Sequence, residues 1–389
     1  MRIQRLVLEN FRNVVHLDLE LPPGRVVLHG DNAQGKTNLL EAVYIFAVAR
    51  SVRASHDREL ISQQTLGDEM PFTRLTGVFD RDDAPLKVEI VLQLTRDTEK
   101  VDPAPQLQKR IRINGVPRRA SDLVGEVQAV LFEPQDIDLV YGSPSLRRRH
   151  LDLTLSQVDR ALMRELQRYA RVLQHRNPLL KAIREGRASP SELGFWDQEL
   201  VEAGSSIVSA RAGAITEIAA VAAEIHRELT GGVEELRLLY RPSVPLENVA
   251  DAGIPDAFRA ALEAAREKEH YQGATLVGPH RDDFEFVLDD LGLATFGSRG
   301  QHRLATLSLK LAEARFMMER TGVQPLLLLD DILSELDAQR RSYLLSFVES
   351  HAQAIITTAD LPFLGETFLT GAALFRVSKG VVEATAPSR

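Results

Sequence analysis

The stretch LHGDNAQGKTNLLEAVYIF, Leu28 to Phe46, leaves this chain few choices. Apolar residues run into Gly30, four residues separate it from Gly35, Lys36 and Thr37 follow, and Leu39, Leu40, Val43 and Phe46 begin a helical period. That order is strand, phosphate loop, helix. The glycines let backbone N–H groups turn toward a polyphosphate, and the helix adds its positive end. Lys36 brings a mobile charge for the β/γ-phosphates and Thr37 a hydroxyl for Mg²⁺. The candidate nucleotide ligands are therefore Gly30, Asp31, Asn32, Ala33, Gln34, Gly35, Lys36, Thr37 and Asn38. A plain glycine turn would not need the whole eight-residue pattern in this context. What the nucleotide drives is not contained in the loop, because many functions share it.

Composition narrows the field. A chain of 389 residues suits roughly two domains, and 44% hydrophobic with 26% charged residues is ordinary for a globular protein. The absence of cysteine excludes disulfides and thiolate metal sites and fits a reducing, cytoplasmic setting. The opening MRIQRLVLENF lacks the apolar core of a signal peptide, so no leader is expected. The apolar run IVSARAGAITEIAAVAAEI is interrupted by Arg211 and Glu217, so no membrane span is expected either. A net charge of −8 gives no global attraction for nucleic acid, so such binding must be local.

Along the chain the period changes twice. Up to about residue 135, short alternating runs (RIQRLVLE, VVHLDLEL, LKVEIVLQL, KRIRING) predict a sheet-rich half whose one strong helix follows the phosphate loop. Beyond it, Leu155, Val158, Leu162, Leu166, Tyr169 and Leu173 form one helical series, and Leu193, Trp196, Leu200, Ile207, Ala214, Ile218, Val221 and Ile225 form another. The breaker NPLLKAIREGRASPSELG between them predicts two long helices folded back on each other. A stripe this short reads as a helical subdomain rather than an extended coiled coil. VDPAPQLQ reads as a flexible loop, and strand-helix alternation returns near residue 275.

The returning segment carries a second half of the site. PLLLLDDILSELD, Pro325 to Asp337, is a buried-strand run ending in two carboxylates, where a parallel strand delivers side chains to the sheet edge. Asp330 is placed to hold Mg²⁺ and Asp331 to polarise an attacking water; the competing reading is a helix cap. Upstream, Ser298 and Gly300 precede a helix with Leu304, Leu307, Leu311 and Met318 on one face, an anion site or an ordinary capped helix.

Ser298-Arg299-Gly300-Gln301, then a helix, the acidic strand and Ser334-Glu335-Leu336-Asp337 together resemble the signature motif, Walker B strand and D-loop of ABC-type ATPases. The resemblance implies an α/β fold: an ABC-type P-loop ATPase head (lobe I, residues 1–140 and 275–389) with an inserted, mainly helical subdomain (lobe II, 141–274). It also implies that Ser298, Gly300 and Gln301 of one chain complete the γ-phosphate site of a second, giving an ATP-dependent homodimer. Gln135 takes the place of the Gln-loop ligand to Mg²⁺. Asp331 stands where the family usually has glutamate, which implies slow turnover. Thr357, Thr358 and Asp360 stand where a histidine often follows the next strand.

A narrower resemblance follows. RLVLENFRNVVHLDLEL with GDNAQGKTNLLEAVY, PQDIDLVYGSPSLRRRHLD and GPHRDDFEF are similar to segments of the RecF family, related to the chromosome-maintenance ATPases. Gln135, His150 and Val52 depart from that family's usual residues. The family resemblance implies ATP and Mg²⁺ as cofactors and slow, DNA-stimulated ATP hydrolysis. It implies binding to double-stranded DNA near single-strand/double-strand junctions, and work with RecR and RecO to deliver RecA.

Independent support for DNA is local. Between Arg147 and Arg187 there are eleven Lys or Arg against four Asp or Glu. Arg147, Arg148 and Arg149, and a stripe of Arg164, Arg168, Arg171 and His175, are candidate phosphate contacts, as are Lys109, Arg110 and Arg112 with Arg118 and Arg119 in the sheet-rich half. Each set could equally be a solvated face with its cations paired. No aromatic interleaving points to stacking on single strands, so duplex backbone is the expected target. Arg12, on the loop after the first strand, either reaches the nucleotide or lies on the surface. Two other classes fit the phosphate loop: the ATP-binding subunit of a transporter, and a kinase or ATP-gated nuclease. The signature and D-loop segments count against a kinase, and a nuclease needs a further acidic metal domain. His280, Arg281, Asp282 and Asp283 lack the spacing of a metal cluster.

Overall fold

The computed structural model describes residues 1–81, 84–95, 106–246 and 251–385, the side chain of Asp251 excepted. The first part of VDPAPQLQ lies outside them. Two compact units separate along the chain, Met1–Gln135 with Glu313–Arg389, and Asp136–Ala312.

The first unit carries two six-stranded sheets. In one, β1 (Arg2–Phe11), β2 (Val14–Glu20), β4 (Phe72–Asp80), β5 (Leu86–Thr95), β6 (Gln106–Ile113) and β7 (Val116–Arg118) pair antiparallel in the order β2-β1-β4-β5-β6-β7. Their period-two pattern puts Leu6, Leu8, Leu75, Val88, Ile90, Leu92 and Ile111 in the core. Arg5, Arg74, Glu89 and Arg112 take the alternate positions and remain at least partly exposed.

The other sheet runs β15 (Val381–Thr385), β14 (Ala373–Ser378), β3 (Gly24–His29), β13 (Gln353–Thr358), β12 (Leu326–Asp330), β8 (Ala129–Phe132), parallel except at the β15 edge. Leu326 to Leu329 are all fully buried, which is why this strand reads as an unbroken apolar run. Helix α1 (Lys36–Val48) is apolar around nearly its whole circumference and is buried accordingly.

The second unit contains α2 (Pro144–Val158), α3 (Arg160–Arg184), α4 (Gly194–Thr230), α5 (Ile254–Gln272), the first half of α6 (Arg299–Thr321), and a sheet of β9 (Leu236–Arg241), β10 (Asp283–Leu288) and β11 (Leu291–Gly292). A last long helix, α7 (Ala338–Glu349), belongs to the first unit.

Three features differ from the sequence reading. The series from Leu155 to Leu173 is two helices, because the Asp159 carboxylate accepts from Ala161 N and Leu162 N and caps a fresh start. The supposed breaker at Asn177 is helical through Pro178 to Arg184, and the turn lies only between 185 and 193. Residues 275–312, expected with the nucleotide-binding half, fall in the helical unit. There β10 pairs with β9 over six residues, and Ser308 of α6 lies 3.1 Å from the Nδ1 of buried His226 on α4.

The interior of this unit is built on paired charge. Arg211 meets Asp152 and Asp282 and donates to the Pro279 carbonyl, while Arg176 meets Asp197, Glu269 and the Thr275 hydroxyl. The GPHRDD segment is part of that lattice. His280 accepts or donates at 2.8 Å to Tyr169, and burial pulls its imidazole down to about 4. Gly278, at φ 127°, has no room for a side chain, since a Cβ would lie 2.2 Å from the Tyr169 oxygen. The segment Pro190–Thr230 is long and apolar enough to cross a membrane by length and composition alone. Its Arg211 is instead 3% exposed and ion-paired inside the unit.

Candidate functional site

The parallel sheet builds a cleft at the C-terminal ends of its strands. Strand β3 ends at His29 and the chain turns at Gly30, φ 146°, where a Cβ would strike the Val377 carbonyl of β14 at 2.3 Å. At the other end of the loop Gly35, φ 108°, precedes the first turn of α1. Two further contacts hold the loop from behind: the Gln34 carbonyl accepts from Gly380 N at 2.9 Å and from Asn13 Nδ2 at 3.1 Å. Asn13 also accepts from Asn38 at 2.8 Å.

The loop and the acidic strand meet directly. Thr37 Oγ1 donates to Asp330 Oδ1 at 2.8 Å, joining residues 293 positions apart. Thr357 Oγ1, from the paired strand β13, donates to the same oxygen at 2.8 Å. Arg53 approaches the other carboxylate oxygen at 3.6 Å and Glu133 at 3.4 Å. Lys36 is largely buried, and its ammonium donates to the carbonyls of Gly30 (2.6 Å) and Asp31 (2.8 Å). Burial pulls its pKa down, against the opposing pull of Asp331, Asp330 and Asp31.

Asp331 is held in a left-handed conformation, φ 50°, with its N–H donating to Thr357 Oγ1 at 3.0 Å. A non-glycine residue in that region stores strain. Burial raises the Asp331 carboxyl pKa; Lys36 opposes this and Asp330 adds to it. The cleft is lined by Asn13, residues 32–38, Pro134, Gln135, Asp330, Asp331 and Thr357. At about 420 Å³ it is in the range of small-molecule sites. Chemically it offers backbone donors and one ammonium for anions, with hydroxyl and carboxylate oxygens side by side for a hard cation.

Arg12 does not line this cleft. Its guanidinium forks onto Glu41 of α1 at 2.8 and 3.0 Å, because that 2%-exposed carboxylate needs a counter-charge. Glu41 in turn accepts from Ser51, whose oxygen accepts from Arg53 N and Ala54 N. Arg12 thus braces the loop that carries Arg53. The sequence reading missed Arg53 and Asn13, and noted Thr357 only as one of three residues standing where a histidine often follows the strand. No motif spacing marks Arg53, whereas Asn13 is visible only as the last residue of ENFRN.

In the second unit Ser298 caps α6. Its Oγ accepts from Gln301 N at 3.3 Å while Gln301 Oε1 accepts from Ser298 N at 2.9 Å, a reciprocal capping box. Gly300 lies within the helix's first turn. Gln301 Nε2 donates to Glu234 at 2.9 Å, and the other oxygen of Glu234 lies 3.3 Å from His226 Nε2.

The proposed phosphate contacts divide sharply. Arg147 is buried, forks onto Asp283 at 2.6 and 2.8 Å, and donates to the carbonyls of Leu139, Val140 and Gly142, so it is a structural clamp. Arg148 is half-buried and donates to the Asp282 carbonyl, and burial lowers its pKa. Arg168 is neutralised by Glu199 and Glu202, whose hydrogen bonds raise its pKa. Lys109 turns inward to the Ala49 carbonyl and Asp57. Exposed cations are Arg149, Arg164, Arg171, Arg110 and Arg112, the last paired to Glu89 at 3.3 Å. On the solvent face of the antiparallel sheet, Arg74, Arg110 and Arg112 line one groove with Phe72, Val91 and Gln93.

A phosphate loop abutting an acidic strand in a mostly parallel sheet, with a separate helical unit carrying the signature-like cap, defines an ABC-type ATPase head. Residues 2–381 match the family described as RecF/RecN/SMC N terminal domain. The DNA replication and repair protein RecF of Herpetosiphon aurantiacus is 44% identical, with 98% of this chain and 99% of that protein aligned. That of Halalkalibacterium halodurans is 38% identical, with 98% of each chain aligned. A solved structure of the recombination mediator protein RecF with ATPrS in the RecFOR pathway superposes with a TM-score of 0.86 at 30% identity, covering 99% of this chain and 98% of the other. An SMC head bound to the C-terminal winged-helix domain of ScpA, at 16% identity and a TM-score of 0.54 over 100% and 98%, shares the fold. The chain belongs to the RecF family of DNA replication and repair proteins.

Proposed function

We propose that this protein is an ATP-switched, duplex-DNA-binding clamp of recombinational repair. The observation that carries it is the Thr37–Asp330 hydrogen bond, which puts the phosphate loop and the acidic strand in one cleft. ATP lies along residues 30–38 with Lys36 turned from its loop carbonyls to the β/γ-phosphates. The oxygens of Thr37 and Asp330, with Gln135 at the cleft wall, suit Mg²⁺, which when bound neutralises charge between the β- and γ-phosphates. Asp331 orients the attacking water. Its shorter arm, which places the water less well than a glutamate would, favours slow turnover over vigorous hydrolysis, and DNA stimulates that turnover.

A second copy supplies Ser298, Gly300 and Gln301 to the γ-phosphate, so ATP pairs two chains and hydrolysis releases them. The unit of residues 1–135 and 313–389 holds the nucleotide in this step, and the unit of residues 136–312 supplies Ser298, Gly300 and Gln301. Solved RecF relatives carrying ATP or ATPrS support the ligand. The exposed cations Arg110 and Arg112 suit the duplex backbone near single-strand gaps. Partners in the cytoplasm are RecR and RecO, with RecA delivered to the gap.

Light scattering with and without Mg-ATP and a gapped duplex tests the reading, with Asp331→Asn to slow hydrolysis and Lys36→Ala as control. A two-chain species that needs ATP and is strengthened by duplex is the expected result. A monomer that binds ATP yet neither pairs nor holds DNA would overturn it.

A further inference from the structure

The hairpin of α3 and α4 assembles something that neither helix shows alone. On α3, Arg164, Arg171 and His175 lie along one stripe. On α4, the first turn carries Phe195 and Trp196. Folding back stacks the His175 and Trp196 rings, 4.8 Å apart and 14° from parallel, and sets Phe195 edge-on to Trp196 at 5.1 Å. Phe195 is 63% exposed. Such exposure is costly for a large aromatic ring with no packing partner on its outer side.

The surrounding charges identify the occupant. The carboxylates of this end of the hairpin already have partners: Glu165, Glu199 and Glu202 share Arg168, Asp197 meets Arg176 and Arg266, and Glu192 accepts from the Ser189 N–H. Arg164 donates to the Arg160 carbonyl one turn back, and among the described residues neither it nor Arg171 meets a carboxylate. An exposed ring stack flanked by unmatched guanidinium groups presents π-faces and positive charge together. That combination suits unpaired nucleotides, with bases on the rings and phosphates on the arginines.

We infer that the Phe195–Trp196–His175 platform, with Arg171 and Arg164, binds single-stranded nucleic acid by base stacking. It extends the DNA reading above by giving the unpaired strand a place of its own in the helical unit. It uses no residue of the nucleotide cleft, so single-strand binding here needs no ATP.

Trp196 is the chain's only tryptophan and reports on its own site. The test is fluorescence titration of the full-length protein with a short oligothymidylate and with a blunt duplex of matched length, without nucleotide. Anisotropy of a labelled oligothymidylate provides the independent readout. The expected result is quenching by the single strand and little by the duplex. Phe195→Ala and Arg171→Glu, both at exposed positions, should each weaken single-strand binding roughly tenfold. Lys36→Ala should bind the oligonucleotide normally.

Unchanged binding in Phe195→Ala, or equal quenching by duplex, would overturn the platform. Quenching that grows with protein concentration in the absence of any oligonucleotide would give the surface to a second copy of the chain and overturn it too. Because no nucleotide is present, none of these outcomes depends on whether ATP pairs the heads.

Discussion

The nucleotide cleft and the interior of the helical unit treat charge in opposite ways. In the cleft, Lys36 sits among Asp31, Asp330 and Asp331 yet forms no close carboxylate pair; its hydrogen bonds go to backbone carbonyls. Asp331 is left with a raised pKa on a strained backbone. In the helical unit, Arg147, Arg176 and Arg211 each meet carboxylates within 3.0 Å and donate their remaining N–H groups to buried oxygens. Unmatched charge is poised for a ligand, whereas satisfied charge is architecture. The distinction depends on partners and not on how many basic residues a segment holds.

Breaking the satisfied side should have the largest effect. Arg211→Ala leaves Asp152 and Asp282 buried without their cation, and the expected loss is about 3–5 kcal/mol, enough to unfold much of the helical unit. Urea melts followed by Trp196 fluorescence measure it, and a wild-type midpoint would mean the lattice carries no weight. On the poised side, Lys36→Ala should leave the melt almost unchanged. It should weaken ATP binding about a hundredfold, equivalent to roughly 3 kcal/mol of charge-assisted hydrogen bonding. Calorimetric titration decides, and retained affinity would remove Lys36 from the phosphate site.

The same contrast explains how much could be read from the chain. Gly30 and Gly35 are fixed because the backbone path itself requires them, Lys36 and Thr37 follow at the spacing that phosphate and cation binding need, and the apolar run before Asp330 announces a buried parallel strand. Arg53 escaped because its approach to Asp330 depends on a loop braced by Arg12, Glu41 and Ser51, a tertiary arrangement with no periodicity. Arg147 was misplaced for a related reason. In PSLRRRHLD three arginines look alike, and only the fold turns Arg147 inward to Asp283 while Arg149 stays at the surface. The aromatic platform lay hidden because His175 and Trp196 stack across a turn, and a linear reading sees no interleaving.

A finer test compares exposed with clamped cations directly. The pair Arg110→Ala and Arg112→Ala should leave thermal stability unchanged, weaken duplex binding by about 1 kcal/mol, and lower the salt dependence by roughly one to two released counter-ions. Arg147→Ala should do the reverse, costing stability with no change in salt slope for the protein that stays folded. Equal slopes in all variants would mean the duplex backbone is held elsewhere.

The smallest expected effect concerns Asp331 and has a definite sign. Burial raises its folded pKa above the unfolded value, so the folded protein binds that proton more tightly. The ionised form therefore disfavours folding at neutral pH, and the penalty fades as pH falls through the raised pKa toward the unfolded one. The group is only partly buried and Lys36 opposes the shift, so the effect is modest. Asp331→Asn removes the charge and should raise the melting temperature by about 2 °C at neutral pH, with the gain vanishing under acid. Thermal melts across that range would show it, and a gain that instead grew toward low pH would contradict the raised carboxyl. The same substitution should stall hydrolysis while ATP still binds, so that stability and turnover move in opposite directions at one residue.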